Sequence, residues 1–384
     1  MTEMKLQPIG QSALATALIF LAGTAWSANG PGDAERFYSV HPLVSDGAQP
    51  ADHVDASLRN SWGIAFNPNG AVWVADNKTN IATLYDGSGN KVSLGTFPEV
   101  QLPPGSNGPA APTGIVFYSS SDFAVSPGGV PGQEGAPAAS AFIFAGENGT
   151  IMGWSPTLSL GNAFLAYDDK SGGAIYKGLA LAQNGQDNLL YATDFHNGKI
   201  DVFDKTFTRV TLPGRFKDTD IPQGYAPFGI RNLQGNLYVT FAKQDANRQD
   251  DVRGVGFGFV DVFDANGNLI RRVATRGKLN APWGIALAPA DFGQFSNRLL
   301  VGNFGDGTID AFDPATGAFL GQLRATNGQV LQIDDLWGLS FGNGLLGQQA
   351  NSLFFTSGPG GEQHGLYGRI DAAAGDGHDP REGE

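Results

Sequence analysis

The chain has 384 residues, a formal net charge of −13, 55 glycines and no cysteine. The excess of acidic side chains excludes nucleic acid as a favourable partner, because a phosphate backbone would be repelled. The lack of cysteine excludes disulfides, thiol chemistry and cysteine-based zinc sites. Glycine at this frequency without a collagen period indicates a globular chain with many tight turns.

Residues 1–27 have the pattern of a secretory signal peptide. Lys5 supplies a positive charge, residues 12–23 form a short apolar segment, and Ala25 and Ser27 place small residues before a cut after Ser27. An uncleaved N-terminal anchor is the alternative. Because no second long apolar segment follows, we expect a mature protein that is secreted or periplasmic, without stable membrane insertion.

Six short segments repeat about every 50 residues, each with a glycine followed by mostly apolar residues. In chain order they read WGIAF, TGIVF, KGLAL, FGIRN, WGIAL and WGLSF, with their glycines at Gly63, Gly114, Gly178, Gly229, Gly284 and Gly338. Further short runs, rich in β-branched and aromatic residues, follow each segment and indicate strands. Four antiparallel strands per unit of this length predict a propeller blade. A glycine in the first strand fits the crowded axis, where neighbouring backbones approach closely.

The sixth unit ends without a fourth strand of its own. After LYGRID (366–371) the sequence becomes small, polar and charged, whereas RFYSVHPLV (36–44), before the first unit, alternates like a strand. We therefore predict an all-β fold, a six-bladed β-propeller over residues 36–371, with four antiparallel strands per blade and the N-terminal strand closing the last blade. Residues 372–384 are predicted to form a flexible acidic tail. In blade one, the fourth strand is predicted at VSLGTF (92–97).

The predicted topology sorts the loops onto two faces of the ring. Loops that lead into the first strand of a blade, or leave its second strand, share one face, which we call the upper face. The long irregular segment 118–141 belongs to the opposite, lower face. Because loops on a rigid scaffold commonly carry function, we expect a monomer with an unidentified ligand on the upper face.

Two sets of motifs resemble known propeller families. APWGIALAP (281–289) and NGKIDVFD (197–204) resemble the NHL and gluconolactonase-like six-bladed propellers. NSWGIAFNPNGAVWVADN (60–77) and APTGIVFYSSSDF (111–123) resemble an uncharacterised family of exported bacterial proteins. This resemblance covers residues 36–371 and implies the fold and export, but no established activity. In gluconolactonase-like propellers, acidic and asparagine side chains near the axis hold a divalent metal.

Several side chains with metal-binding chemistry fall on the predicted upper-face loops. Imidazole, carboxylate and amide groups that converge on a channel can hold Ca²⁺, Mg²⁺ or Zn²⁺. The candidate metal ligands are His53, Asn77, Glu147, Asp194, His196, Asn303, Asp335 and His364. The alternative is that the histidines are unrelated surface residues, and that aspartate and asparagine cap turns at strand ends.

Lys177 stands before the repeated glycine, where the other blades carry tryptophan, phenylalanine or threonine. A lysine among aromatic side chains near an axis can have a depressed pKa and act as a base, with Asp194 and His196 as further candidate catalytic residues. The alternative is an ion pair between Lys177 and Asp194 or Asp335. We favour the ion pair, because buried charges are normally paired.

Two functions are consistent with these features. The first is an exported, non-catalytic binding scaffold that recognises a protein, glycan or small ligand on its upper face. The second is a metal-dependent hydrolase or lyase, of lactonase-like kind, with its site at the central channel. The sequence contains no Gly-x-Ser-x-Gly elbow, P-loop or His-Glu-x-x-His motif. The incomplete catalytic signature favours the binding scaffold and leaves open whether the protein is an enzyme.

Overall fold

The computed structural model describes residues 36–128 and 135–374, which are almost wholly β. The predicted signal peptide and the last part of the predicted tail, 375–384, lie outside the described residues. Helical structure in the described part comprises a 3₁₀ turn at Gly293–Phe295 and one short turn, α1, at Pro359–Glu362. Neither of these described segments has the length and apolar character that a membrane crossing requires.

Turns and longer loops connect the strands of the described chain. In order they are β1 (Phe37–Ser45), β2 (His53–Val54), β3 (Ser61–Phe66), β4 (Val72–Asp76), β5 (Ile81–Tyr85), β6 (Glu99–Gln101), β7 (Pro112–Phe117), β8 (Ala124–Val125), β9 (Ala138–Ala139), β10 (Phe142–Gly146), β11 (Thr150–Trp154), β12 (Phe164–Asp168), β13 (Tyr176–Asn184), β14 (Asp187–Asp194), β15 (Lys199–Phe203), β16 (Arg209–Val210), β17 (Tyr225–Leu233), β18 (Asn236–Lys243), β19 (Gly258–Phe263), β20 (Leu269–Thr275), β21 (Pro282–Leu287), β22 (Leu299–Asn303), β23 (Ile309–Phe312), β24 (Phe319–Gln322), β25 (Leu336–Phe341), β26 (Leu353–Ser357) and β27 (Leu366–Ala373).

Six antiparallel sheets form the blades of a β-propeller, which confirms the predicted fold. Blades one to five are β3–β6, then β7 with β10–β12, then β13–β16, β17–β20 and β21–β24. Blade six consists of β25, β26, β27 and β1. The first strands of successive blades contact each other around the axis, and β25 contacts β3 to complete the ring.

The N-terminal strand closes the ring as predicted. β1 lies antiparallel to β27, with Tyr38 opposite Ala372 and Ser45 opposite Leu366. β27 continues to Ala373, past the predicted boundary at 371, because Phe37 and Tyr38 pair with its last two residues. The short β2 adds a parallel strand outside β1. Closure therefore joins the two ends of the propeller within one sheet.

One predicted strand is wrong. The fourth strand of blade one is β6, which follows the predicted segment 92–97. Within that segment the chain reverses, since Leu94 N–H donates to the Phe97 carbonyl at 2.8 Å and Gly95 has a φ of +64°. The backbone groups of Leu94 and Phe97 bond to each other and are not free to pair with β5. The segment 118–141, predicted as irregular, contains the β8–β9 hairpin.

The repeated glycines hold the inner strands close together. A Cβ atom on Gly63 would lie 2.3 Å from the Thr113 carbonyl oxygen of blade two, and one on Gly229 would lie 2.1 Å from that of Trp283 in blade five. A Cβ atom on the last repeated glycine, Gly338, would lie 2.7 Å from the Trp62 carbonyl oxygen of blade one. No side chain fits at such distances, so glycine is a steric requirement of the ring.

The hydrophobic core lies in layers between neighbouring blades. Between blades one and two, for example, Trp73 stacks on Phe142 with ring centroids 4.1 Å apart, and Phe144 and Trp154 complete the same buried cluster. Such layers fix the blades relative to one another and give the loops of the upper face a rigid support.

Candidate functional site on the upper face

Aromatic side chains fill the upper part of the channel. The rings of Trp62 and Trp337 stack with centroids 3.5 Å apart, and Phe304 stacks on Trp337 at 3.9 Å. Trp283 meets Trp62 and Trp337 edge-on, at 5.9 and 5.7 Å. All four side chains are buried. We call Trp62, Trp283, Phe304 and Trp337 the aromatic plug, and the polar groups of the site lie around it.

Lys177 lies beside this plug and is fully paired. Its Nζ is 2.5 Å from Glu147 Oε1, 3.2 Å from Asp250 Oδ1 and 5.1 Å from the centroid of the Trp62 ring. Burial by itself lowers the pKa of Lys177, but the two carboxylates outweigh burial and raise that pKa above its usual value. The prediction that Lys177 has a depressed pKa and acts as a base is therefore wrong. The ion pair that we favoured is present, although its partners differ from the predicted Asp194 and Asp335.

A chain of hydrogen bonds links the loops of blades one, two and six. Asn77 Nδ2 donates to Glu147 Oε2 at 2.8 Å, and Asn60 Nδ2 donates to Asn77 Oδ1 at 3.3 Å and to Glu362 Oε2 at 2.9 Å. Trp337 Nε1 in turn donates to Asn60 Oδ1 at 3.2 Å. The positions of Glu147 and Glu362 are therefore coupled to each other and to the aromatic plug.

An insertion in blade four completes the site. The loop 244–257, between β18 and β19, reaches towards the other blades, and Asp250 contacts Lys177 of blade three. Arg253 lies 2.6 Å from Asp335 Oδ1 of blade six, with its guanidinium 4.3 Å from the Phe304 ring centroid. These contacts hold the loop, which we call the blade-four loop, above the aromatic plug.

Asp251 of this loop has an unsatisfied buried oxygen. Its Oδ2 is buried and has no hydrogen-bond partner in the described part of the chain. Burial raises the pKa of Asp251 to about 7, with Glu362 raising it further and Lys177 and Arg253 opposing the rise. Burial likewise raises the pKa of Glu362. We call Glu147, Asp250, Asp251 and Glu362 the carboxylate cluster.

The raised pKa of Asp251 predicts an unusual pH dependence of stability. An aspartate of the unfolded chain has a pKa of about 4, so between about pH 4 and pH 7 the folded protein holds more protons and loses stability as pH rises. Asp251→Asn removes this loss. We expect the variant to be more stable than wild type by about 2 kcal/mol at pH 8, less than the full shift implies because the residue is partly exposed, and by less than about 1 kcal/mol at pH 5, where most of the loss has not yet occurred.

Urea unfolding at the two pH values measures this difference. A variant that is equally stable or less stable than wild type at pH 8 would contradict the raised pKa.

The eight predicted metal ligands lie in different parts of the molecule. Asn77 and Glu147 belong to the site just described, and Asp335 lies at its edge. His53 is in β2, outside the closing strand, with its Nε2 3.1 Å from the Ser88 carbonyl oxygen. His364 Nδ1 pairs with Asp46 Oδ2 at 2.9 Å.

Two other predicted ligands lie at strand ends. Asp194 caps the turn after β14, where it accepts hydrogen bonds from Asn197 and lies 3.1 Å from Lys199 Nζ. Asn303 bonds to Asn280 and Asp310 within blade five. These contacts agree with the alternative interpretation, in which aspartate and asparagine cap turns at strand ends.

His196 follows Asp194 in the same turn, and its Nδ1 is buried without a partner among the described residues. In residues 36–128 and 135–374, no three histidine, aspartate or glutamate side chains come together in a way that could hold a metal ion.

Four polar residues of the site were not predicted as site residues. They are Asn60, Asp250, Asp251 and Arg253. The signal available in the sequence was the charged insertion KQDANRQDDVRGVG (243–256), whose two adjacent aspartates now lie in the carboxylate cluster.

Comparison with known proteins identifies relatives but no activity. The chain is 34% identical over 348 residues to an uncharacterised protein of Acanthamoeba polyphaga mimivirus, covering 89% of this chain and 82% of the relative. A second uncharacterised protein of that virus is 36% identical over 318 residues, covering 81% and 80%. The chain belongs to the family of these viral proteins. No family model matches it.

Solved structures of similar shape support the propeller fold of this family member. A protein of unknown function from Bacteroides thetaiotaomicron has a TM-score of 0.55 at 12% identity, covering 87% of this chain and 76% of that one. Virginiamycin B lyase from Staphylococcus aureus, with quinupristin, has a TM-score of 0.50 at 15% identity, covering 87% and 99%. At these identities the likeness shows the fold alone, and a binding or an enzymatic role is compatible with it.

Proposed function

We propose that this protein is a non-catalytic binding propeller whose upper face recognises a cationic group of a protein, glycan or small ligand. The observation that carries the proposal is the buried Oδ2 of Asp251, which has no hydrogen-bond partner in the described structure. The neighbouring cations are already engaged, because Lys177 contacts Glu147 and Asp250, and Arg253 contacts Asp335. Asp251 and Glu362 therefore lack a cation of their own.

A cationic ligand would satisfy this site. An ammonium or guanidinium group forms strong charge-assisted hydrogen bonds with carboxylates, and it would favour the ionised form of Asp251. One side of the cluster is open to solvent, since the side chain of Asp250 is 63% exposed. The net charge of −13 would also increase the rate at which a cation arrives.

The metal-dependent hydrolase or lyase has weaker support. The raised pKa of Lys177 leaves it protonated at neutral pH, so it cannot serve as a base there. Among the described residues, no group of three histidine, aspartate or glutamate side chains has an arrangement that could coordinate a metal ion. Membership of the exported bacterial family and export itself rest on motifs and on residues 1–27, and they stay predictions.

Calorimetric titration with tetralysine tests the proposed binding. We expect saturable 1:1 binding, and at least a tenfold loss of affinity in the double variant Asp250→Asn and Asp251→Asn, because both substitutions keep the side-chain shape and remove the charge. Asp187→Asn is the matched control, since Asp187 is exposed and lies in the lower-face hairpin between β13 and β14.

Three outcomes would overturn the proposal. The first is that the double variant binds tetralysine as tightly as wild type does. The second is that wild type binds none of tetralysine, arginine amide and spermidine. The third is that wild type binds one Ca²⁺, Mg²⁺ or Zn²⁺ ion that the double variant does not bind, a result that would favour the metal-dependent enzyme.

A further inference from the structure

A second candidate site lies on the other side of the aromatic plug. Here the channel widens into a cavity of about 400 Å³, lined by the first strands of the blades. Trp283 of the plug lies at its inner end, and Phe66, Phe117, Phe341 and Asn343 lie towards its mouth on the lower face. Because the buried rings of the plug stand between them, this cavity and the carboxylate cluster are separate. A cavity of this size is typical of small-ligand sites.

The side chains that line the cavity are mostly apolar, backbone groups add polar surface, and one side chain is charged. Its lining includes five of the six repeated glycines and the isoleucine or leucine residue that follows each of the six. Among the described residues that line it, Arg231 alone is ionisable. Its Nη1 donates to the Leu339 carbonyl at 3.1 Å and its Nη2 to Ser340 Oγ at 2.9 Å, so the side chain reaches from blade four to blade six.

Arg231 has no counter-ion in the described structure. None of the described carboxylates lies within ion-pair distance of its guanidinium, and burial alone lowers its pKa from the usual value. A guanidinium has five N–H donors, and the two bonds to blade six leave three of them for other partners. A partly buried cation without a counter-ion is costly, which makes it an indicator of an anionic ligand.

The blade fold does not require this arginine. The corresponding position, two residues after the repeated glycine, is filled in the other blades by small or apolar residues, apart from one serine. They are Ala65, Val116, Ala180, Ala286 and Ser340. Five blades therefore form the ring without a charge at this position, and the exception in blade four points into a cavity.

We infer that the lower cavity binds a small monocarboxylate with an apolar or aromatic body. The carboxylate pairs with Arg231 in the planar, two-point geometry that guanidinium groups favour. The body contacts the aliphatic wall and the phenylalanines near the mouth. One positive charge in the described lining matches one negative charge, so a monoanion is favoured over a dianionic phosphate. This inference is independent of the cation site proposed for the upper face.

Ligand-observed NMR and calorimetry with 3-phenylpropionate test the inference. We expect wild type to bind it at least tenfold more tightly than the neutral 3-phenylpropionamide and more tightly than phenyl phosphate. Arg231→Met is expected to abolish this preference. The same variant is expected to keep or raise the thermal midpoint, because it replaces a partly buried, uncompensated charge with an apolar side chain.

The matched control is Arg253→Met, which removes a guanidinium from the upper face and is expected to leave binding of 3-phenylpropionate unchanged. Equal binding of acid and amide, retention of the preference in Arg231→Met, or no binding of the acid at 10 mM would each overturn the inference. A large drop in the thermal midpoint of Arg231→Met would also overturn it, since the arginine would then serve to join blades four and six.

Discussion

Replacement of Lys177 by methionine is expected to lower the free energy of unfolding by about 3 kcal/mol. The side chain of Lys177 is 2% exposed, and its loss leaves the carboxylates of Glu147 and Asp250 without their cation. Removing one partner of a buried ion pair commonly costs about 3–5 kcal/mol. We expect the lower end of this range because Asp250 is largely exposed. Urea denaturation at pH 7 measures the loss.

Two further variants distinguish the ion pair from lost packing. Adding Glu147→Gln to Lys177→Met is expected to recover part of the stability, because the unpaired carboxylate is then removed as well. Arg298→Met breaks the more exposed pair with Asp313 and is expected to cost less than about 1 kcal/mol. If Lys177→Met lowered the free energy of unfolding no more than Arg298→Met does, the ion pair of Lys177 would not stabilise the upper face.

Replacement of Gly229 by alanine is expected to cost a similar amount, about 3 kcal/mol. The added methyl group would lie 2.1 Å from the Trp283 carbonyl oxygen of the next blade. Both groups belong to backbone in the inner ring, so relief requires the strands of two blades to move apart. Thermal and urea unfolding report the loss of stability.

Gly70→Ala is the control for the alanine substitution itself. Its added Cβ would meet nothing closer than the Asn67 side chain at 3.5 Å, which is ordinary contact. We expect a change of less than about 1 kcal/mol for this variant. A loss in Gly229→Ala no greater than in Gly70→Ala would show that glycine is not required by the ring.

The fold could be predicted because its requirements are local and repeated. Each first strand carries the same glycine, and the missing fourth strand of blade six had one candidate partner, the alternating segment 36–44. The predicted fourth strand of blade one was wrong because the chain reverses at Gly95. The reversal depends on the positive backbone angle φ of Gly95, which the apolar pattern of 92–97 does not reveal.

The candidate site was less predictable because long-range contacts create it. Glu147 and Asn77 could be selected as residues at strand ends, but the reach of Asp250 to Lys177, and of Arg253 to Asp335, depends on how the blade-four loop crosses the upper face. The histidines were selected as candidate metal ligands by residue type alone, and His53 and His364 have separate, unrelated hydrogen-bond partners. Arg231 was visible in FGIRN as the charged residue after a repeated glycine, but its significance depends on the cavity.

The most direct test of the proposed function is to count the protons released when tetralysine binds at pH 7. Calorimetric titrations in two buffers with different ionisation enthalpies give this number. Because burial raises the pKa of Asp251 to about 7, the group is about half protonated, and a bound cation favours its ionised form. We predict release of about half a proton per ligand in wild type, and a clear loss of this release in Asp251→Asn. Binding without proton release, or the same release from Asp251→Asn, would contradict recognition of a cation at the carboxylate cluster.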